Sequence, residues 1–181
     1  MRSAILLSAC LYLVICFTRC NQQEKEHEIY IKADSLIGLT MVLQSRIGSP
    51  EIQRMHEFQE EIIEDLSKLI PVPKEDTSYI KYQELYNGLG QCLQSCSQFH
   101  EEAYMLESSL REIMEQILSK EADLDKLHEL LELEIDNYEN LSARLDSSMN
   151  LAILNAKIFY SLKPGIDRMK EIIAQVPDSM P

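Results

Sequence analysis

The stretch YQELYNGLGQCLQSCSQFHEEAYMLESSLREI, residues 82–113, decides the fold. With Tyr82 at heptad position a, Leu89, Cys96, Ala103 and Leu110 also fall at a, and Leu85, Cys92, Phe99, Leu106 and Ile113 fall at d. Apolar side chains that return every 3.5 residues on average form one narrow ridge along an α-helix. Such a ridge leaves water only by packing against another helix. The a series runs on unbroken through Ile117, Leu124, Leu131, Tyr138, Leu145, Ala152, Phe159, Ile166 and Ile173, whereas d turns polar at Lys120, Glu134, Ser148 and Asn155 and is apolar again at Leu162 and Met169.

Two details decide how this repeat is cut. Asn87-Gly88-Leu89-Gly90 looks like a turn, but the heptad phase passes through it unshifted, so the glycines are read as lying inside one helix at a cost of about 1 kcal/mol each. Where d first fails, Ser119-Lys120-Glu121-Ala122-Asp123 offers an N-cap followed by acidic first-turn residues. A tight turn there makes residues 76–118 and 122–162 two antiparallel helices, with a short last helix starting at Pro164-Gly165 and running through Val176. Without the turn, the repeat is a single rod about 140 Å long that must dimerise to bury its ridge.

Before the repeat, Ile29, Ala33, Leu36, Leu39, Leu43 and Ile47 recur three or four apart and define a first helix. Gly48 fits the left-handed position after it, Ser49 the next N-cap and Pro50 the first residue of the second helix. That helix carries Ile52, Met55, Ile62, Leu66 and Leu69 on its apolar side and stops at Pro71-Val72-Pro73. The expected fold is all-α: an elongated antiparallel helical bundle or helical hairpin with coiled-coil-like packing, occupying residues 29–177.

Composition agrees. The chain has 181 residues and only 5 glycines, too few for the turns of many short strands. Its 17 basic and 30 acidic residues give a net charge of −13, a field that repels phosphate backbones, so nucleic acid is not an expected partner.

The first 20 residues read as a leader. Arg2 precedes a run of about 14 almost wholly apolar residues (4–17), the length of a secretory signal's core and too short for a comfortable membrane span. The run ends at Phe17-Thr18-Arg19-Cys20-Asn21, which resembles the lipobox of bacterial lipoproteins. That resemblance implies cleavage before Cys20 and lipidation of its thiol. Leu7-Ser8-Ala9-Cys10 fits the same pattern, but too few apolar residues precede it. The polar residues 21–28 would then be a tether, and the protein would sit anchored on the periplasmic or outer face of the cell envelope. Plain secretion is the alternative, with Asn140-Leu141-Ser142 as a glycosylation sequon.

The sharpest chemical constellation is Cys92, Cys96 and His100. Spaced by four, they share one helix face, and neighbouring pairs could each offer two ligands to zinc or copper(I). Against this stands the bland role of both cysteines as apolar core residues. A turn near residue 120 would set Cys92 beside Ser148 and Cys96 beside Arg144, and His128 near Glu112. A Cys92–Cys96 disulfide is disfavoured, because adjacent-turn Cβ atoms lie about 6 Å apart against the 3.5–4.5 Å such a bond needs. The carboxylates Glu57, Glu60, Glu61, Glu64 and Asp65 read as a solvated face, and the seam tyrosines as core with hydroxyls at the rim. No dinucleotide loop, phosphate loop, nucleophile elbow or zinc-protease motif occurs. The sequence thus points to a binding or scaffold module without enzymatic activity or a cofactor, whose partner is a protein or a second copy of the chain. A small-ligand or soft-metal binder is the second reading.

Overall fold

The computed structural model describes residues 2–69, 76–119 and 123–175, with side chains from residue 22 onward. These residues form four helices, α1 (Arg2–Ile47), α2 (Pro50–Lys68), α3 (Thr77–Leu118) and α4 (Leu124–Gln175), with no strand among them. The protein is an all-α helical bundle. The expected stop at Pro71-Val72-Pro73 and the end at Val176 lie outside the described residues, as does Lys120.

The helix ends follow from local chemistry and differ in places from the expectation. Gly48 still donates its N–H to the carbonyl of Gln44 (3.2 Å) and does not enter the left-handed region. The chain turns instead at Ser49 (φ −66°, ψ 157°), because the ring of Pro50 pushes the residue before it out of helical space. Asp76 caps α3, its Oδ1 accepting from the N–H groups of Ser78 (2.8 Å) and Tyr79 (3.1 Å). Asp123 caps α4, accepting from Asp125 (3.2 Å) and Lys126 (3.3 Å). Ser119, the cap expected there, closes α3 instead, its Oγ donating to the Gln116 carbonyl (2.8 Å). A carboxylate immediately before Leu124 suits the positive end of α4 better than a hydroxyl farther back.

Two expected breaks are absent. Residues 21–28 are helical within α1, and Lys25 pairs with Asp125 of α4. Pro164-Gly165 does not start a new helix but lies inside α4. Both residues are exposed, so the Tyr160 carbonyl deprived of its donor can turn to water, while buried Phe159 and Ile166 hold the chain on either side.

The helices pack into two compact units, where the sequence reading has one bundle over residues 29–177. Unit 1 comprises Met1–Val42 and Ala103–Asn140. Its core joins Ile29, Ala33, Leu36 and Ile37 of α1 to Leu106, Leu110, Ile113 and Ile117 of α3 and to Leu127 and Leu131 of α4. Unit 2 comprises Leu43–Glu102 and Leu141–Pro181. It buries Leu43 and Ile47 of α1, Ile52, Met55, Phe58 and Ile62 of α2, Tyr82, Leu85 and Leu89 of α3, and Leu145, Ala152, Phe159 and Ile166 of α4.

Within unit 2, α3 and α4 are antiparallel. Cys92 meets Ser148, and Glu102 meets Arg144 in a two-pronged ion pair of 2.7 and 2.9 Å. The hairpin is therefore realised and the rod is not. The polar d positions find matched partners on α3. Glu134 accepts from Ser109 (2.5 Å) in unit 1, while in unit 2 Ser148 faces Cys92 and Asn155 faces Gly88, where a Cβ would stand 3.6 Å from the amide. Small or hydroxyl-bearing residues opposite these sites leave room for side chains that an aliphatic neighbour would strand.

Asn155 is the incompletely matched one: it is buried, and its Nδ2 lacks a hydrogen-bond partner among the described residues. An orphaned buried donor costs about 1–3 kcal/mol. Asn155→Leu, with the same number of heavy atoms, is expected to stabilise the protein by about 1 kcal/mol in thermal melts. A lower melting temperature would show that the amide is hydrogen-bonded in solution.

Candidate functional site

The cysteine stripe takes shape in unit 2. Cys92 and Cys96 occupy successive turns of α3, both buried in the seam with α4 and both free thiols. Cys92 Sγ lies 3.3 Å from Ser148 Oγ and 3.5 Å from the Ser148 carbonyl oxygen. The neighbouring thiols make the first ionisation easier, because the Cys96 S–H stabilises the Cys92 thiolate, and the second harder, because that thiolate holds the remaining proton. An open cleft of about 350 Å³ reaches Cys92 between Gln91, Ser95 and Gln98 on α3 and Arg144 and Ser147 on α4.

His100, the third member expected from the spacing, is exposed and does not join the thiols. Four-residue steps rotate the face by about 40° per step, so the third residue drifts off a seam that the first two share. Among the described residues, no three His, Cys, Asp or Glu side chains converge on a metal-sized space. Arg144 is spent on Glu102 and on the Phe99 ring, with its Cζ 5.1 Å from the centroid. His128 approaches Glu132 at 4.0 Å within α4, while Glu112 accepts from Gln116, so the expected His128–Glu112 pair does not form. The side chain of Cys20 lies outside the described residues.

The sequence reading missed a second polar centre. Asp65, placed there among solvent-facing carboxylates, is 2% exposed. Its carboxylate accepts from Tyr82 Oη (2.7 Å), Lys163 Nζ (2.6 Å) and Lys170 Nζ (2.5 Å). Lys163 also pairs with Glu61 (2.5 Å), and Lys170 with Asp167 (2.7 Å). Burial pushes the Asp65 carboxyl up, but these three donors outweigh it and hold the acid below the usual carboxylate range. Burial and the adjacent carboxylate keep the Tyr82 phenol protonated. A signal was present in the spacing: Ile52, Met55, Phe58, Ile62, Asp65 and Leu69 recur three or four apart and are all buried, so Asp65 sits in the core stripe where Leu66 had been placed.

Also in unit 2, a groove of about 220 Å³ opens between α2 and α4. Met55, Phe58, Ala152 and Ala156 line it, Ile153 and Tyr160 stand at its edge, and Arg54 and Lys157 flank it. Tyr160 is 62% exposed, yet its ring meets Phe58 edge-on at 5.4 Å.

Fold and sites together define an all-α helical bundle with a buried thiol pair, a buried ion network and one aromatic groove in the same unit. No protein-family model, curated protein or solved structure matches the chain.

Proposed function

We propose that this chain is a cell-envelope binding or scaffold module, exported by its leader, anchored by a lipid on Cys20 and without enzymatic activity of its own. The observation that carries the binding role is the groove between α2 and α4, where Tyr160 and Ile153 stay in water beside an apolar floor. Exposed apolar side chains gathered around a concave floor mark contact surfaces more than they mark solvated ones. The protein's polar interior supports a structural role, since Asp65, Tyr82, Lys163 and Lys170 satisfy one another. The anchor rests on the abrupt change from the apolar residues 4–17 to the polar residues after Cys20. Among the residues whose side chains are described, from residue 22 onward, no helix is long and apolar enough to cross a membrane; a lipid on Cys20 would supply the attachment at the chain's start.

One set of cells tests both halves. Wild type is expected to take up a fatty-acid analogue and fractionate with membranes, and Cys20→Ala to lose both properties. Equal labelling of the two would refute the anchor. A photoreactive phenylalanine at Tyr160 is expected to yield a discrete protein adduct that the same group at the exposed Asp125 does not. Identical patterns at both positions would remove the groove as the binding surface.

A further inference from the structure

We propose that Cys92 and Cys96 hold one monovalent soft cation, copper(I), between their two sulfurs, reached through the cleft that opens at Cys92. The two thiols lie one helical turn apart on α3, both buried in the seam with α4 and both free. Adjacent-turn Cβ atoms about 5–6 Å apart are too distant for a disulfide, but that spacing lets both sulfurs close on one ion from opposite sides. One geometric fact thus disfavours oxidation to a disulfide and favours metal capture.

The donor count selects the ion. Structural zinc takes four ligands and catalytic zinc three plus water. Here His100 is exposed, and no third His, Cys, Asp or Glu side chain converges with the thiols among the described residues. Thiolates select copper(I), a d¹⁰ ion satisfied by two of them. On binding, two S–H bonds break, two S–Cu bonds form and two protons leave to solvent, with no change of oxidation state. The resulting single negative charge is met by the Ser148 hydroxyl, 3.3 Å from the Cys92 sulfur, and faces a cleft whose wall includes Arg144. The cleft, about 350 Å³, gives a carrier molecule delivering the ion access to Cys92 before Cys96 completes the pair. The assignment goes beyond the anchored binding module and does not depend on it.

The test uses the full chain with Cys10, Cys16 and Cys20 replaced by serine, so that these two thiols are the only ones present, reduced and titrated with chelator-buffered copper(I) without oxygen. One copper per chain is expected. Loss of hydrogen-bonding partners around a metal ligand alone weakens affinity about 10–100-fold, so Cys92→Ser and Cys96→Ser, which remove a ligand, are each expected to weaken binding by more than about 100-fold. His100→Ala should leave affinity unchanged, and equimolar zinc(II) should not displace the copper. Unweakened binding in either serine variant, a comparable loss in His100→Ala, or displacement by zinc would each overturn the assignment. Should the serine variants fail to fold, X-ray absorption of the copper-loaded thiol pair decides: two sulfur neighbours support the site, and any other first shell overturns it.

Discussion

Asp65→Ala is expected to destabilise the protein by about 3 kcal/mol, read as a fall in the urea midpoint at neutral pH. Removing one partner of a buried ion network leaves the others desolvated and uncompensated, which typically costs about 3–5 kcal/mol. The lower end applies here because Lys163 and Lys170 keep Glu61 and Asp167 as partners and retain 20% and 23% side-chain exposure. Tyr82 suffers more directly: its hydroxyl is fully buried and Asp65 is its acceptor. Against such a loss, an exposed pair such as Lys68–Glu64 contributes little, because water and salt screen it. A cost for Asp65→Ala as small as that would mean the network is solvated.

The same network has a pH signature whose sign is fixed. Asp65 is depressed in the folded state, so its contribution is complete above the unfolded value near pH 3.9 and is lost as pH falls through the lower folded value. Lys163 is the mirror case. Burial lowers it, but hydrogen bonds to Asp65 and Glu61 hold it above its ordinary range, so its contribution is complete below about pH 10.4 and fades as pH rises beyond that. Between about pH 5 and 10 the network is fully charged. The stability gap between wild type and Asp65→Asn should therefore be constant across that window and narrow in acid. A gap that widened on acidification would contradict the depressed acid.

Phe159→Ala is expected to cost about 4 kcal/mol, the usual toll for emptying a buried aromatic site. For a protein of this size that is about 12 °C of melting temperature. The ring is buried and stacks on Phe58 at 4.4 Å and 19°, with Tyr82 at 6.3 Å on a nearly parallel plane. Residues from α2, α3 and α4 thus meet around one side chain, and no neighbour can fill the gap without leaving its own contacts. Tyr160→Ala, next along the chain and largely in water, is expected to stay within about 0.5 kcal/mol. Equal costs for the two would show that the stack is not the centre of unit 2.

These residues also mark how far the sequence could be read. Tyr82, Leu89, Cys96, Ala103, Leu110, Leu131, Leu145, Ala152, Phe159 and Ile166, all assigned to position a from their spacing, are buried. The pairing of Cys92 with Ser148 follows from one turn placed near residue 120. Backbone punctuation was less transferable. Pro164-Gly165 should end a helix by local preference, yet the packing of Phe159 and Ile166 carries α4 through it. Gly48 offered left-handed freedom that went unused, because Pro50 had already bent the chain at Ser49.

What the sequence determined by itself was what depends on period: an all-α chain and the apolar ridge along its long helices, with the hairpin and the rod both left open. What only the tertiary structure decided was the fate of the polar residues on those ridges. Asp65 is tolerable in a core because Lys163 and Lys170, 98 and 105 positions away, arrive with compensating charge. His100 is left in water because the seam drifts off its face. Hydrophobic period is a local property that one helix carries alone, whereas the cost of burying a charge or a thiol is set by whatever another helix brings against it.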